Sequence, residues 1–150
     1  LTLITNAVQI CEEKVVRGLE FLTSQNGEIW GKLDAGTDRG LKFVNRPAKK
    51  IDMELIEGNL KFAVSKFPLR IQTMLCEAYG KSPSETEIES YSQIVRRIYD
   101  TNPRNLLSIQ LYSAVRKTAE NIIKPLPKEF LEGVKRKMQE KISKLKIEVF

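Results

Sequence analysis

Apolar side chains return every three or four positions along the first 24 residues: Ile4, Val8, Cys11, Val15, Leu19 and Leu22. That spacing lines one stripe of a 3.6-residue helix and predicts a long first helix over residues 2–24. Residues 25–50 hold no sustained period. Gly27, Gly31, Gly36, Gly40 and Pro47 interrupt them, so they read as a long loop with one short helical turn near Leu41–Asn45.

Helical spacing then resumes. Asp52 is placed to cap a helix carrying Met53, Ile56, Leu60, Ala63 and Phe67. Pro68 suits the first turn of a segment with Ile71, Leu75 and Ala78, stopped by Gly80. "SPSE" reads as a capping box, with Ser82 as cap, Pro83 first and Glu85 reaching back. The helix it opens buries Ile88, Tyr91, Val95 and Ile98. "NP" at 102–103 starts another with Leu107, Leu111, Ala114 or Val115, and Ile122; the last carries Leu131, Val134, Met138, Ile142 and Leu145. Ile147 and Val149 alternate over too few residues to argue a sheet. The expectation is all-α: a single bundle-like domain over residues 1–150 with five or six helices. It has a long basic loop at about 25–50 after the first helix and a basic last helix at about 127–146.

Composition bounds the chemistry. The chain is 41% hydrophobic and 29% charged, as soluble globular domains are. No apolar run approaches the ~20 residues of a membrane helix, so no integral membrane association is expected. Glu12 and Glu13 interrupt what would be the apolar core of a signal peptide, which suggests an intracellular protein or one inside a virion or nucleoprotein particle. Histidine is absent, which removes His-based nucleophile pairs and general bases. Two cysteines without histidine cannot build a four-ligand zinc site. Cys11 and Cys76 read as small buried hydrophobes, with a disulfide between them unsupported. No enzyme motif, cofactor or metal site is expected. Carboxylate chemistry would require several of Glu54, Glu57, Glu85, Glu87 and Glu89 to converge in a pocket with raised pKa values.

The net charge of +6 is uneven. Lys32, Arg39, Lys42, Arg46, Lys49 and Lys50 face only Asp34 and Asp38 within residues 32–50, and Lys and Arg outnumber Glu again over 116–146. Concentrated positive charge is the footprint of a polyanion partner. The leading expectation is therefore sequence-independent binding of nucleic-acid backbone with self-assembly, as in a virus coat or nucleocapsid protein or a small ribonucleoprotein-filament subunit. Arg39, Lys42, Arg46, Lys49 and Lys50 would meet phosphates, with Lys135, Arg136, Lys141 and Lys144 from the last helix. Trp30 and Phe43 would stack on bases or anchor the loop by packing. The alternatives are a helical protein–protein adaptor with solvated basic faces, and, for the last helix, an anionic membrane surface or a neighbouring subunit.

Arg17, Gly18, Phe21, Leu22, Gln25, Gly27 and Trp30 follow in the order of residue types of the QW motif, and the stretch resembles that motif of the triterpene cyclases. The intervals differ, the stretch occurs once where that family repeats it, and the family's aspartate-rich motifs are absent. No cyclase fold or activity is assigned. The physical content that remains is a helix end, a turn at Gly27 and a large aromatic beyond it.

Overall fold

The structure, a computed structural model, describes residues 1–47, 51–114 and 122–150. In chain order it contains β1 (Thr2–Thr5), α1 (Glu13–Ser24), β2 (Glu28–Lys32), α2 (Asp38–Val44), α3 (Met53–Lys66), β3 (Leu69–Met74), β4 (Cys76–Ala78), α4 (Glu85–Thr101), β5 (Leu106–Tyr112), β6 (Ile123–Pro125), α5 (Lys128–Lys141) and β7 (Ile147–Val149). The all-α expectation is overturned. Five strands form a sheet in the order β1-β2-β3-β5-β7, every neighbouring pair parallel, and β4 and β6 form a separate antiparallel pair.

Each sheet strand lies beside the one before it, with helices in the crossovers between them. Crossovers of one hand along such a sequential sheet drop every helix on the same face. The core confirms it. A single cluster joins Leu19 of α1, Leu60 of α3, Val95 and Ile98 of α4, and Leu131 and Met138 of α5 to alternate strand residues: Ile29, Ile71, Ile109, Leu111 and Ile147. These strand residues are at most 4% exposed, and Ile71, Ile109 and Ile147 share one row in the register. The residues between them (Trp30 and Lys32, Arg70 and Gln72, Gln110 and Tyr112) point to the other face, which no described element covers. Parallel sheets are ordinarily covered on both faces, so the open face stands out.

The misread segments share one cause. A short buried parallel strand places apolar residues two apart, and two such steps coincide with the four-residue step of a helix. Ile71 and Leu75, or Leu107 and Leu111, thus fit a helical stripe while belonging to β3 and its exit and to β5. Residues 2–24 divide similarly. Thr2–Thr5 pair with β2, and helix begins only at Glu13. Between them Ala7 takes a positive φ of 63°, and the Asn59 amide donates to the Ala7 and Val8 carbonyls at 2.8 and 2.9 Å, holding that turn against α3. The supposed loop at 25–50 contains β2 and α2, the latter matching the expected turn near Leu41–Asn45.

Other expectations hold. Asp52 caps α3 by accepting from the Leu55 amide at 2.9 Å, and the stripes of α4 and α5 are buried as their spacing requires. The cap of α4 is Ser84 rather than Ser82, its hydroxyl accepting from the Glu87 amide. At the end of α1 the Gly27 amide donates to the Leu22 carbonyl, while the left-handed residue is Asn26. A Cβ on Gly27 would lie 2.4 Å from the Leu22 side chain. Both cysteines are free; Cys76 is buried, but Cys11 is exposed, its thiol donating to the side-chain oxygen of Asn59 at 3.0 Å.

Candidate functional site

The C-terminal ends of parallel strands lie on one edge of the sheet, where α/β folds bind their ligands. Here the edge is built by the ends of β2, β3 and β5. Lys32 closes β2 on the open face, and Tyr112 closes β5 two strands away. The Lys32 ammonium donates to the Tyr112 hydroxyl at 2.7 Å and lies 5.2 Å from the centre of its ring, spanning β3. It also lies 3.3 Å from the Asp34 carboxylate. Burial pulls the Lys32 pKa down, but Asp34 and Tyr112 more than offset that, leaving it above the ordinary lysine value and firmly charged.

Asp34 is the fixed point of this edge. Its side chain is 3% exposed. One oxygen accepts from the Met74 amide at 2.8 Å, the other from the Asn45 side chain at 3.1 Å. The carboxylate thereby ties the exits of β2 and β3 to the end of α2. Behind it, the buried Tyr91 hydroxyl shares a hydrogen bond of 2.6 Å with Thr73.

Two rows of polar groups extend from this cluster across the open face. Lys32, Gln72, Gln110 and Glu148 are aligned on successive strands, as are Trp30, Arg70 and Ser108. Arg70 donates to the Ser108 hydroxyl at 2.9 Å and lies 3.4 Å from Glu28, which also accepts from the Trp30 indole at 2.9 Å. That indole bond, with Arg70 beside it, lowers the Glu28 pKa. The face is a lattice of hydrogen-bonding groups, not an apolar surface awaiting a helix layer.

The residues singled out from sequence fall elsewhere. Arg39 and Lys42 are exposed on α2. Phe43, 36% exposed, sets its ring 5.2 Å from Tyr79, whose hydroxyl accepts from Arg46 at 3.4 Å. Lys49 and Lys50 lie outside the described residues. Lys135, Arg136 and Lys141 belong to α5 and Lys144 follows it; Lys135 faces Glu132 at 3.9 Å and Lys141 pairs with Glu89 of α4. Trp30 lies on the open sheet face, half-buried, and not on a helical body.

The five glutamates do not converge. Glu57 is gripped by Arg97 through two hydrogen bonds of 2.7 Å, and its pKa falls to about 2 through Arg97, with Lys61 assisting. Glu85 and Glu89 pair with Lys137 and Lys141. Glu87 accepts from the Gly36 amide at 2.6 Å, the Thr37 amide at 3.2 Å and the Thr37 hydroxyl at 2.6 Å. Among the described residues no group of three or more Cys, Asp or Glu is placed to hold a metal ion, and no helix is long and apolar enough to cross a membrane.

Lys32, Gln72, Gln110 and Tyr112 went unread as a site, although the sequence carries a signal for them. "EIWGK" and "SIQLY" place a polar or aromatic residue at every second position, and "RIQTM" does so at Arg70 and Gln72, the mark of strands with two unlike faces. No family model, curated protein or solved structure matches the chain.

Proposed function

We propose that the open sheet face, at its C-terminal edge, binds a small polar molecule, and that the chain is a one-sided array of βα units serving as the scaffold for that site. The observation that carries this reading is the Lys32 ammonium. It is held in place by Tyr112 and Asp34 yet is 26% exposed on a face lined by Gln72, Gln110 and Arg70. A charged donor fixed by its neighbours, with amides beside it, loses little conformational entropy on meeting a ligand. Thermal-shift measurements against carboxylates, amino acids, nucleosides and sugar phosphates test it. A ligand that stabilises the protein should lose that effect in Lys32→Met and Gln110→Leu. Stabilisation unchanged in both variants would place the site elsewhere.

A second reading, sequence-independent binding of nucleic-acid backbone, draws on the exposed Arg39 and Lys42 beside Phe43 on α2. It requires affinity for mixed-sequence RNA or DNA that falls steeply between ~50 and ~200 mM salt. A flat salt response rejects it.

A further inference from the structure

A cavity of about 270 Å³ opens beside the strand ends, between α2, β4 and the start of α4. It lies apart from the open sheet face. Asp34 forms part of its wall, but Lys32, Gln72, Gln110 and Tyr112 do not.

Its lining divides into two kinds. The floor is apolar: Leu75, Ile88 and Tyr91 are 4%, 5% and 1% exposed, and the Phe43 ring stands at the rim against Tyr79. The polar side holds two carboxylates and two cations. Both carboxylates are already engaged. Asp34 is held by Met74, Asn45 and Lys32, and Glu87 by the Gly36 and Thr37 donors. Arg39 and Lys81 are different. Each lines the cavity and is exposed, and neither side chain has a hydrogen bond or ion pair among the described residues. The cavity therefore presents two uncommitted positive charges above an apolar floor. Ser82 and Ser84 add hydroxyls on the same side.

We infer that this cavity binds a small aromatic anion, a single ring bearing a phosphate or carboxylate. Arg39 offers a planar fork to two oxygens of the anion and Lys81 a point charge. The ring lies on Leu75, Ile88 and Phe43. The volume falls just below the roughly 300–1,000 Å³ of sites for drug-sized ligands, which sets the size at one ring. The site differs from the open sheet face in both charge balance and floor, and it stands whether or not that face binds a ligand.

Phenyl phosphate is the direct probe, with inorganic phosphate and phenol as its two halves. Calorimetric titration of the full chain should show phenyl phosphate binding more tightly than either half. The double variant Arg39→Gln/Lys81→Gln should weaken it at least about tenfold, equivalent to one lost charge-assisted contact of about 1.4 kcal/mol. Phe43→Ala should weaken phenyl phosphate but leave inorganic phosphate unchanged. All three side chains are at least partly solvent-exposed, so the variants should keep the native circular dichroism and melting temperature. Inorganic phosphate binding as tightly as phenyl phosphate, or full affinity in the double variant, overturns the proposal.

Discussion

The Lys32 ammonium and the Tyr112 hydroxyl meet at 2.7 Å across an intervening strand. Both belong to a parallel sheet, and neither is covered by a helix. The bond therefore bridges β2 and β5 without help from the core. Its second anchor is Asp34, whose carboxylate is almost wholly enclosed. Lys32→Met should leave that carboxylate short of its cation and cost about 2–3 kcal/mol, below the range for a fully buried pair because Lys32 retains some solvent. Tyr112→Phe should cost about 1–2 kcal/mol, because the lost bond comes from a charged donor that keeps some solvent. Urea denaturation of the two variants measures the difference. Because the folded pKa of Lys32 is raised above its ordinary 10.5, this contribution is fully present at neutral pH and is lost only as pH rises through the folded value.

Acid should weaken the α3–α4 contact. Glu57 has a folded pKa of about 2 against an ordinary 4.5, so its stabilisation is complete above about 4.5 and disappears as pH falls towards 2. Arg97 is half in solvent, which screens the pair, and about 1–2 kcal/mol is the expected loss. Glu57→Gln should remove much of the decline in stability between pH 5 and 2, as read by denaturation at several pH values. An unchanged decline would assign the acid sensitivity to other carboxylates.

Glu87 tethers α4 to the entry of α2 through its bonds to Gly36 and Thr37. Glu87→Ala should release that entry at a cost of about 2–3 kcal/mol, because hydrogen bonds to a charged group are the strong kind. The loss should be local. Hydrogen exchange should quicken over residues 36–44, while Ile71 and Ile109 in the sheet centre keep their protection. Uniform loss of protection would show instead that α2 unfolds together with the core.

Glycines separate into two opposite cases. A Cβ on Gly36 would lie 2.2 Å from the Tyr91 amide nitrogen and 2.6 Å from the Glu87 carbonyl, backbone atoms that cannot turn aside. Gly36→Ala should destabilise by roughly 3 kcal/mol. Gly18 and Gly58 sit inside α1 and α3, where an added Cβ meets nothing within 4 Å. Each, changed to Ala, should stabilise by about 0.5–1 kcal/mol. Thermal melts of the three variants should therefore shift in opposite directions.

The helices α3, α4 and α5 were legible because each is long, amphipathic and bounded by identifiable start or stop residues; Asp52 even caps as its position suggests. The strands were not. Leu69, Ile71 and Thr73 are buried at every second position of β3, but over six residues that alternation also fits a helical stripe through Ile71 and Leu75. The candidate site was hidden for another reason. Lys32 and Tyr112 are 80 residues apart and become neighbours only once β3 lies between their strands. The cation clusters that charge counting highlights are real in composition, but two of the α5 lysines, Lys137 and Lys141, face α4 carboxylates that sequence distance conceals.

The order β1-β2-β3-β5-β7 has a bearing on how the molecule assembles. Each strand in it is laid against the sheet strand that precedes it in the chain, whereas the β4–β6 pair waits for a later segment to return. Each sheet pairing closes over a single crossover, which favours stepwise folding from one edge to the other. It also makes the βα unit a module. One unit added or removed at an edge leaves every internal pairing as it was, much as in repeat proteins whose units touch only their neighbours.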